Sequence, residues 1–350
     1  MQRAVAERVF PAACLLVAVE GQPVVHRAYG RARLDSVFDL ASLTKPLATA
    51  ATLMQLVAAG RLTLETRLGA VIEALQGTAL GAVTLAQLLA HTAGLPEWLP
   101  LYQQLVTRPA RRARQRAREL IAATPLAYAP GSTTCYSDLG YLLLDWALEA
   151  ATGERLDHLA QRLVFAPLAL TRTGFVDLAA RRSAARLQQH WRFVPTERCP
   201  RRGRLCGEVH DDNCHAMQGV AGHAGLFSTA HDVHQIVRQL VSAARGEASI
   251  FDGAVVRRCF DTQLVSGSSW RLGWDTPGGE RPSAGRAFGG RSVGHLGFTG
   301  TSVWIDRDRP WWAILLTNRV YYGREPNRMK PLRPRLHDAV ARTLKGWGYL

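Results

Sequence analysis

Strand-like patterning at both ends of the chain, helical patterning between them, and the lack of any internal repeat predict an α+β protein. The expected architecture is an antiparallel sheet built from N- and C-terminal segments and flanked by terminal helices, with a mainly helical domain inserted. Residues 1–60 with 236–350 form the expected sheet domain, and 61–235 the helical one. At 350 residues, 47% hydrophobic and 20% charged, the chain can bury a core without disulfide or metal staples. That composition excludes a wholly disordered chain or a fibre.

Each element follows from its own pattern. Residues 13–31 alternate around Gly21-Gln22-Pro23 and predict a β-hairpin. Residues 43–59 carry apolar positions at helical spacing and stop at Gly60. Helical patterns continue to about residue 235 in TLAQLLAHTAGLP, SDLGYLLLDWALEAATG and ERLDHLAQRLVFAPL, each ending in or near Gly or Pro. Residues 190–225 are rich in Cys, His, Arg and Gly without a period, and predict a long ordered loop at the active site. Late in the chain, SVGHLGFTGTSVWIDR and WWAILLTNR flank Asp308-Arg309-Pro310 as a second hairpin, and LRPRLHDAVARTLKGW closes the chain as an amphipathic helix.

No apolar run approaches the ~18–20 residues needed to cross a bilayer. Ala12–Val19 is short and stopped by Glu20, and Arg3 and Arg8 are interrupted by Glu7, so no secretory leader is recognisable. The expectation is a soluble, cytoplasmic protein, or a periplasmic one if a leader is missing from the N-terminus. The formal charge is +15, and of 43 basic residues only Lys45, Lys330 and Lys345 are lysines. Arginine is spread throughout, with one dense stretch from Arg108 to Arg118 that reads as a solvated helix face, so nucleic acid is not an expected partner. Six cysteines show no CxxC spacing. Cys199, Cys206 and Cys214 lie near His215, but the spacing is poor for a metal site, and neither metal nor cofactor is expected.

Ser42 is the only serine with a lysine three residues later, Lys45. On a helix that spacing places both side chains on one face. Pro46 would clash with a preceding turn, so the helix must start near Ser42, where unpaired N–H groups and the positive end of the dipole suit an oxyanion. A serine hydroxyl needs a base, and a buried lysine can be depressed toward neutrality, whereas arginine cannot. S-x-x-K alone is a weak pattern, and chance remains its alternative. Tyr136, at a loop-to-helix junction after Pro130-Gly131, can aim a phenol at the serine, and a cationic neighbour would ease its ionisation; a satisfied buried aromatic is the alternative. Gly294-His295-Leu296-Gly297-Phe298-Thr299-Gly300 lies in a predicted strand whose glycines would let substrate approach the backbone, and His295 adds a titratable donor. His91 in LLAHTAGLP falls at a helix end.

These four segments resemble the serine β-lactamase and penicillin-binding-protein superfamily, in its class C branch. Ser42-Leu43-Thr44-Lys45 is similar to the S-x-x-K motif, Tyr136-Ser137-Asp138 to Y-x-N, and LLAHTAGLP to LLxHTSGLP, while His295-Leu296-Gly297 stands where K-T-G is usual. The resemblance runs from about residue 12 to the C-terminal helix. It implies a two-lobed fold and an acyl-enzyme mechanism with Ser42 as nucleophile and Lys45 and Tyr136 sharing the proton transfers. The backbone N–H groups of Ser42 and Phe298 would form the oxyanion hole, Asp138 would contact substrate or hold Lys45, and Gly297 and His295 would line the substrate strand. Two departures stand out. Asp138 replaces an amide and would raise the Lys45 pKa, favouring tyrosinate as base, and His295 replaces a lysine and weakens the positive charge expected for a substrate carboxylate.

Residues 207–213, GEVHDDN, and 219–230, GVAGHAGLFSTA, resemble a narrower subgroup containing penicillin-binding-protein-4B-like carboxypeptidases and muropeptide amidases. The resemblance implies that His210, Asp211 and His223 line the cleft, with structural packing or a metal as the alternatives. The expected activity is a serine hydrolase acting on an amide or ester in a peptide or small molecule, a muropeptide among them. A small-ester carboxylesterase, then a β-lactamase, are the alternatives, with a catalytically weak penicillin-binding-like sensor as the reading from another class.

Overall fold

The computed structural model describes residues 1–105 and 110–350. Ten strands occur among them: β1 Ala12–Val19, β2 Gln22–Gly30, β3 Phe38–Asp39, β4 Gly174–Phe175, β5 Glu197–Cys199, β6 Gly203–Leu205, β7 Leu226–Ser228, β8 Val293–Leu296, β9 Ser302–Asp306 and β10 Trp311–Thr317. The main sheet has the order β2-β1-β10-β9-β8 with every neighbouring pair antiparallel. The late strands thus enter the sheet beside the first, as the α+β expectation requires.

Both faces of the central strands are covered. Leu15, Val17 and Val19 of β1 pack with Ala341 and Leu344 of the Met329–Gly346 helix, while Cys14, Leu16 and Ala18 face the larger core. The Ala230–Ala244 helix lies against β1 and β10 in that core. A strand covered on both sides reads as a continuous apolar run, which is why ACLLVAV lacks polar alternation.

Three elements differ from expectation. The first hairpin turns at Glu20-Gly21, both with positive φ (47° and 80°), one residue earlier than expected. This two-residue turn matches the strand twist, and Pro23 falls instead in edge strand β2, beside a register shift that tolerates its missing N–H. The expected strand 292–307 is two strands, β8 and β9, split by a tight turn at residues 297–301. The segment 190–225 is more regular than a loop: it carries the β5–β6 ribbon and a short helix, Asp212–Ala216.

The arginine-rich stretch also differs. Arg108 lies outside the described residues, but the Ala110–Ala122 helix is not a freely solvated face. Arg114 and Arg118 are largely buried and pair with Asp145 and Glu149 on the Asp138–Thr152 helix. All six cysteines are free thiols. Among the described residues, no helix is long and apolar enough to cross a membrane.

Gly294 shows how tightly β8 seats on β9. It pairs with Trp304, and a Cβ at Gly294 would lie 2.4 Å from the Trp304 ring. Gly294→Ala is therefore expected to lower stability by about 1–3 kcal/mol, read as a shifted urea midpoint with unchanged slope.

Candidate active site

Ser42 sits on an elbow between β3 and a helix. The chain leaves β3 at Asp39, passes through Ala41 at φ 48°, and enters a 3₁₀ turn (Ala41–Leu43), a π turn (Lys45–Ala50) and an α-helix (Ala51–Ala58). Pro46 has no N–H to give the ladder, and a widened π turn at this point is a form that helices adopt at functional sites. The strained Ala41 conformation is held by Asp39, which is 2% exposed: its Oδ1 accepts from Ala41 N at 2.8 Å and its Oδ2 from His210 N at 2.7 Å. Burial raises the Asp39 pKa against these two donors.

One turn from Ser42 lies the fully buried Lys45. Its Nζ is 3.0 Å from Ser42 Oγ, 2.7 Å from Asp138 Oδ1 and 3.2 Å from the His223 carbonyl oxygen. Burial pulls the lysine pKa down, as expected, but Asp138 and then Tyr136 outweigh it, and the net shift is upward. Of the two opposing expectations for Lys45, depression by burial and elevation by Asp138, the second prevails, and Asp138 holds the lysine as an ammonium. Tyr136 is half-buried, with Lys45 Nζ 4.8 Å from its ring centre. Lys45 and Ser42 favour its ionised form, yet burial is the larger effect and its pKa too is raised, so the expected easier ionisation does not hold at rest.

His295 reaches the same place, and the weakening of positive charge expected from its replacing a lysine is complete. It is 2% exposed, its Nδ1 lies 2.8 Å from the Leu296 carbonyl, and burial together with Lys45 pushes its pKa down to about 3. It is a neutral ring and cannot supply a cation in place of lysine. Trp270, which carries no recognisable pattern in the sequence, packs between His295 and Tyr136, at 5.5 and 5.3 Å between ring centres. His91 closes this aromatic group 4.6 Å from Tyr136, and its Nδ1 accepts from Ser137 N at 3.0 Å. Burial, and then Lys45, hold His91 neutral.

Phe298 lies at the tip of the 297–301 turn and is 48% exposed. Thr299 and Thr301 donate hydroxyl hydrogen bonds to the carbonyls of Asp39 (2.8 Å) and Leu40 (3.0 Å), clamping the turn to the elbow. Gly297 serves that clamp: a Cβ there would meet Thr301 Oγ1 at 2.0 Å and Leu40 O at 2.5 Å. Protein atoms, rather than substrate, thus occupy the space this glycine frees.

The 207–225 segment brings a second ion pair to the first. His223 Nε2 is 2.9 Å from Asp211 Oδ1, and Asp211 in turn caps the Asp212–Ala216 helix through Cys214 N. Burial works against both charges, but each outweighs it for the other: His223 is raised and Asp211 is held well below the usual carboxylate range. His210 pairs with Glu197 at 2.9 Å and stacks on Phe298 at 5.6 Å between ring centres. Ligand atoms of Asp138, Asp211 and His223 lie within 4.8 Å of one another. Each carboxylate in this group already faces a cation, Lys45 for Asp138 and His223 for Asp211.

Fold and site together define a serine hydrolase built on the β-lactamase and penicillin-binding-protein architecture. The profile of the family described as Beta-lactamase matches residues 1–336, and the chain belongs to that family. A protein of Escherichia coli K12 named "Putative D-alanyl-D-alanine carboxypeptidase" is 30% identical, over 89% of this chain and 79% of its own length. Among solved structures, EstCE1, described as a hydrolase with promiscuous acyltransferase activity, superposes with a TM-score of 0.70 at 20% identity, covering 95% of this chain and 96% of its own. The octameric penicillin-binding protein homologue from Pyrococcus abyssi gives 0.69 at 17% identity, covering 95% and 75%. At these identities both structures speak for the fold.

Two outcomes follow from this geometry. Asp39→Ala leaves two buried N–H groups unpaired, at a cost of about 1–3 kcal/mol each, and should lower both the melting temperature and the hydrolytic rate. Asp138→Asn removes the carboxylate that raises the Lys45 pKa. It should move the alkaline limb of the kcat/KM profile to lower pH, and an unmoved limb would detach that limb from Lys45.

Proposed function

We propose that Ser42 is the nucleophile of an acyl-enzyme mechanism acting on an amide in a cell-wall-derived peptide, of peptidase or amidase type. The observation that carries this reading is the half-buried Ser42 hydroxyl, 3.0 Å from the Nζ of a fully buried lysine that is itself 2.7 Å from Asp138. The carboxypeptidase name of the enterobacterial relatives supports a peptide substrate.

In the forward step Ser42 Oγ bonds to the substrate carbonyl carbon and its proton passes into the Lys45–Tyr136 pair. The backbone at Ser42 and Phe298 receives the oxyanion. Collapse breaks the carbonyl bond to the leaving nitrogen, which takes the proton, and water then releases the acyl group by the reverse sequence. Because both resting groups have raised pKa values, the proton acceptor forms more readily as pH rises. The rate is expected to climb on the alkaline side rather than reach a plateau near neutrality.

A small-ester esterase is the second reading, favoured by the neutral His295: the substrate strand offers no cation at that position for a free carboxylate. The same feature argues against efficient β-lactam turnover.

A screen of muramyl peptides, D-Ala-D-Ala peptides, p-nitrophenyl esters and a chromogenic cephalosporin separates these readings. The expected result is Ser42-dependent turnover of a peptide and of esters, with weak or absent cephalosporin hydrolysis. Ser42→Ala should abolish turnover and fluorophosphonate labelling. Labelling of wild type and variant alike, or of neither, would sink the nucleophile assignment and leave a binding protein. Lys45→Arg keeps the charge but has no titratable amine, and should reduce kcat by about a hundred-fold or more; near-normal rates would refute the role given to Lys45.

A further inference from the structure

Outside the cleft, arginines converge on a cavity of about 240 Å³ at the end of the main sheet where β1 begins and β2 ends. Arg31, Arg33, Arg192, Arg204 and Tyr321 line it, with Asn318 at its wall. A further guanidinium adjoins it. Arg198 on β5 stands directly across from Arg204 on β6, and its Nε donates to the Tyr321 hydroxyl at 3.1 Å. That hydrogen bond, with Arg31 adding to it, holds the Tyr321 hydroxyl below its ordinary range.

Among the described residues, the arginines around this cavity share one carboxylate, whereas those on the helical side of the molecule are matched by several. On the helical side of the molecule Arg114 and Arg118 share Asp145 and Glu149, and Arg155 is held between Asp157 and Asp177. At the cavity a single carboxylate, Asp35, pairs with Arg192 at 3.3 Å and is shared with Arg172 at 3.0 Å. Among the described residues Arg31, Arg33 and Arg204 pair with no carboxylate. The ribbon's alternation explains why: Glu197 points to the opposite face, toward His210 and Arg324, leaving Arg198 and Arg204 together on this one. Like charges directly opposite across a strand pair are unfavourable, and a concave surface of one sign concentrates its field. Guanidinium forks match the oxygens of a phosphoryl group in a bidentate way.

We propose that this cavity is a binding site for a phosphate-type anion, either a free phosphate or diphosphate or the phosphorylated end of a small molecule. The site is separate from Ser42 but close to its surroundings in the chain: Asn318 precedes Arg319, whose Nε donates to the Phe298 carbonyl at 2.8 Å. The proposal does not depend on which substrate Ser42 attacks.

The test is calorimetric titration of the full chain with inorganic phosphate, diphosphate and a nucleoside diphosphate, against sodium chloride of matched ionic strength. The expected result is one site per chain for diphosphate, weakened by about tenfold or more in the Arg31→Ala/Arg204→Ala double variant. An Arg181→Ala/Arg182→Ala control should bind as wild type does. Both pairs are exposed, so melting temperatures near wild type are expected and confirm folding. Tighter binding of the nucleoside diphosphate assigns the site to a phosphorylated organic ligand, and equal binding assigns it to the inorganic anion. No heat beyond the chloride control, or binding that the double variant leaves unchanged within about twofold, would overturn the proposal. So would a multi-site isotherm abolished by moderate salt, which marks diffuse attraction to a basic surface.

Discussion

An ammonium group with no exposed surface must be neutralised, and at the centre of this protein Asp138 does it. Isolated burial of a charge is prohibitively unfavourable, and removing one partner of a buried pair leaves the other stranded. Lys45 therefore locks the helix that follows Ser42 to the start of the Asp138–Thr152 helix, across 93 residues of sequence. Asp138 belongs to the first turn of that helix, where a carboxylate also complements the dipole. The same bond that holds the two elements together fixes the charge state of the lysine. At rest Lys45 donates to Ser42 rather than accepting from it, so the pair must give up a proton before it can take one from the hydroxyl.

Around this pair the cleft is assembled by hydrogen bonds to backbone groups from distant segments. Thr49 donates to the Gly222 carbonyl at 2.6 Å, Thr44 accepts from Leu226 N at 3.1 Å, and Asp138 N donates to the Glu97 carbonyl at 2.9 Å. Asp39 adds the elbow and the 207–213 segment, and the two threonines of the 297–301 turn add the substrate strand. Most of these groups are buried, so they must be satisfied, and satisfying them leaves little freedom in where Ser42 can sit. The Asp211–His223 pair extends the arrangement: two ion pairs of opposite sense abut and leave the local charge balanced.

The parts of the site that were legible in the sequence are those set by local spacing. Ser42 and Lys45 share one turn, and Tyr136 and Asp138 flank a helix start, so four residues on two short motifs carry their geometry with them. Asp39 left no signal, because a carboxylate at the end of a two-residue strand resembles any polar residue near a turn. Only Ala41 at positive φ, with a neighbouring acid to hold it, marks the elbow in the fold. Trp270 was equally silent, as it joins Tyr136 and His295 through packing alone. The arginine stretch was misread for the same reason: its partners, Asp145 and Glu149, lie on another helix.

Composition and periodicity by themselves determined the fold class, and the family resemblance of the short motifs pointed to Ser42, Lys45 and Tyr136, because side-chain period and residue chemistry are written in neighbouring positions. Tertiary structure decided how burial and neighbouring charges balance at each group. Whether Lys45 is an ammonium, whether His295 is neutral, and whether Asp211 pairs with His223 depend on desolvation and on which opposite charge folding brings within about 3–4 Å, where the interaction is strongest. That distance is a property of the assembled core and appears in no single segment.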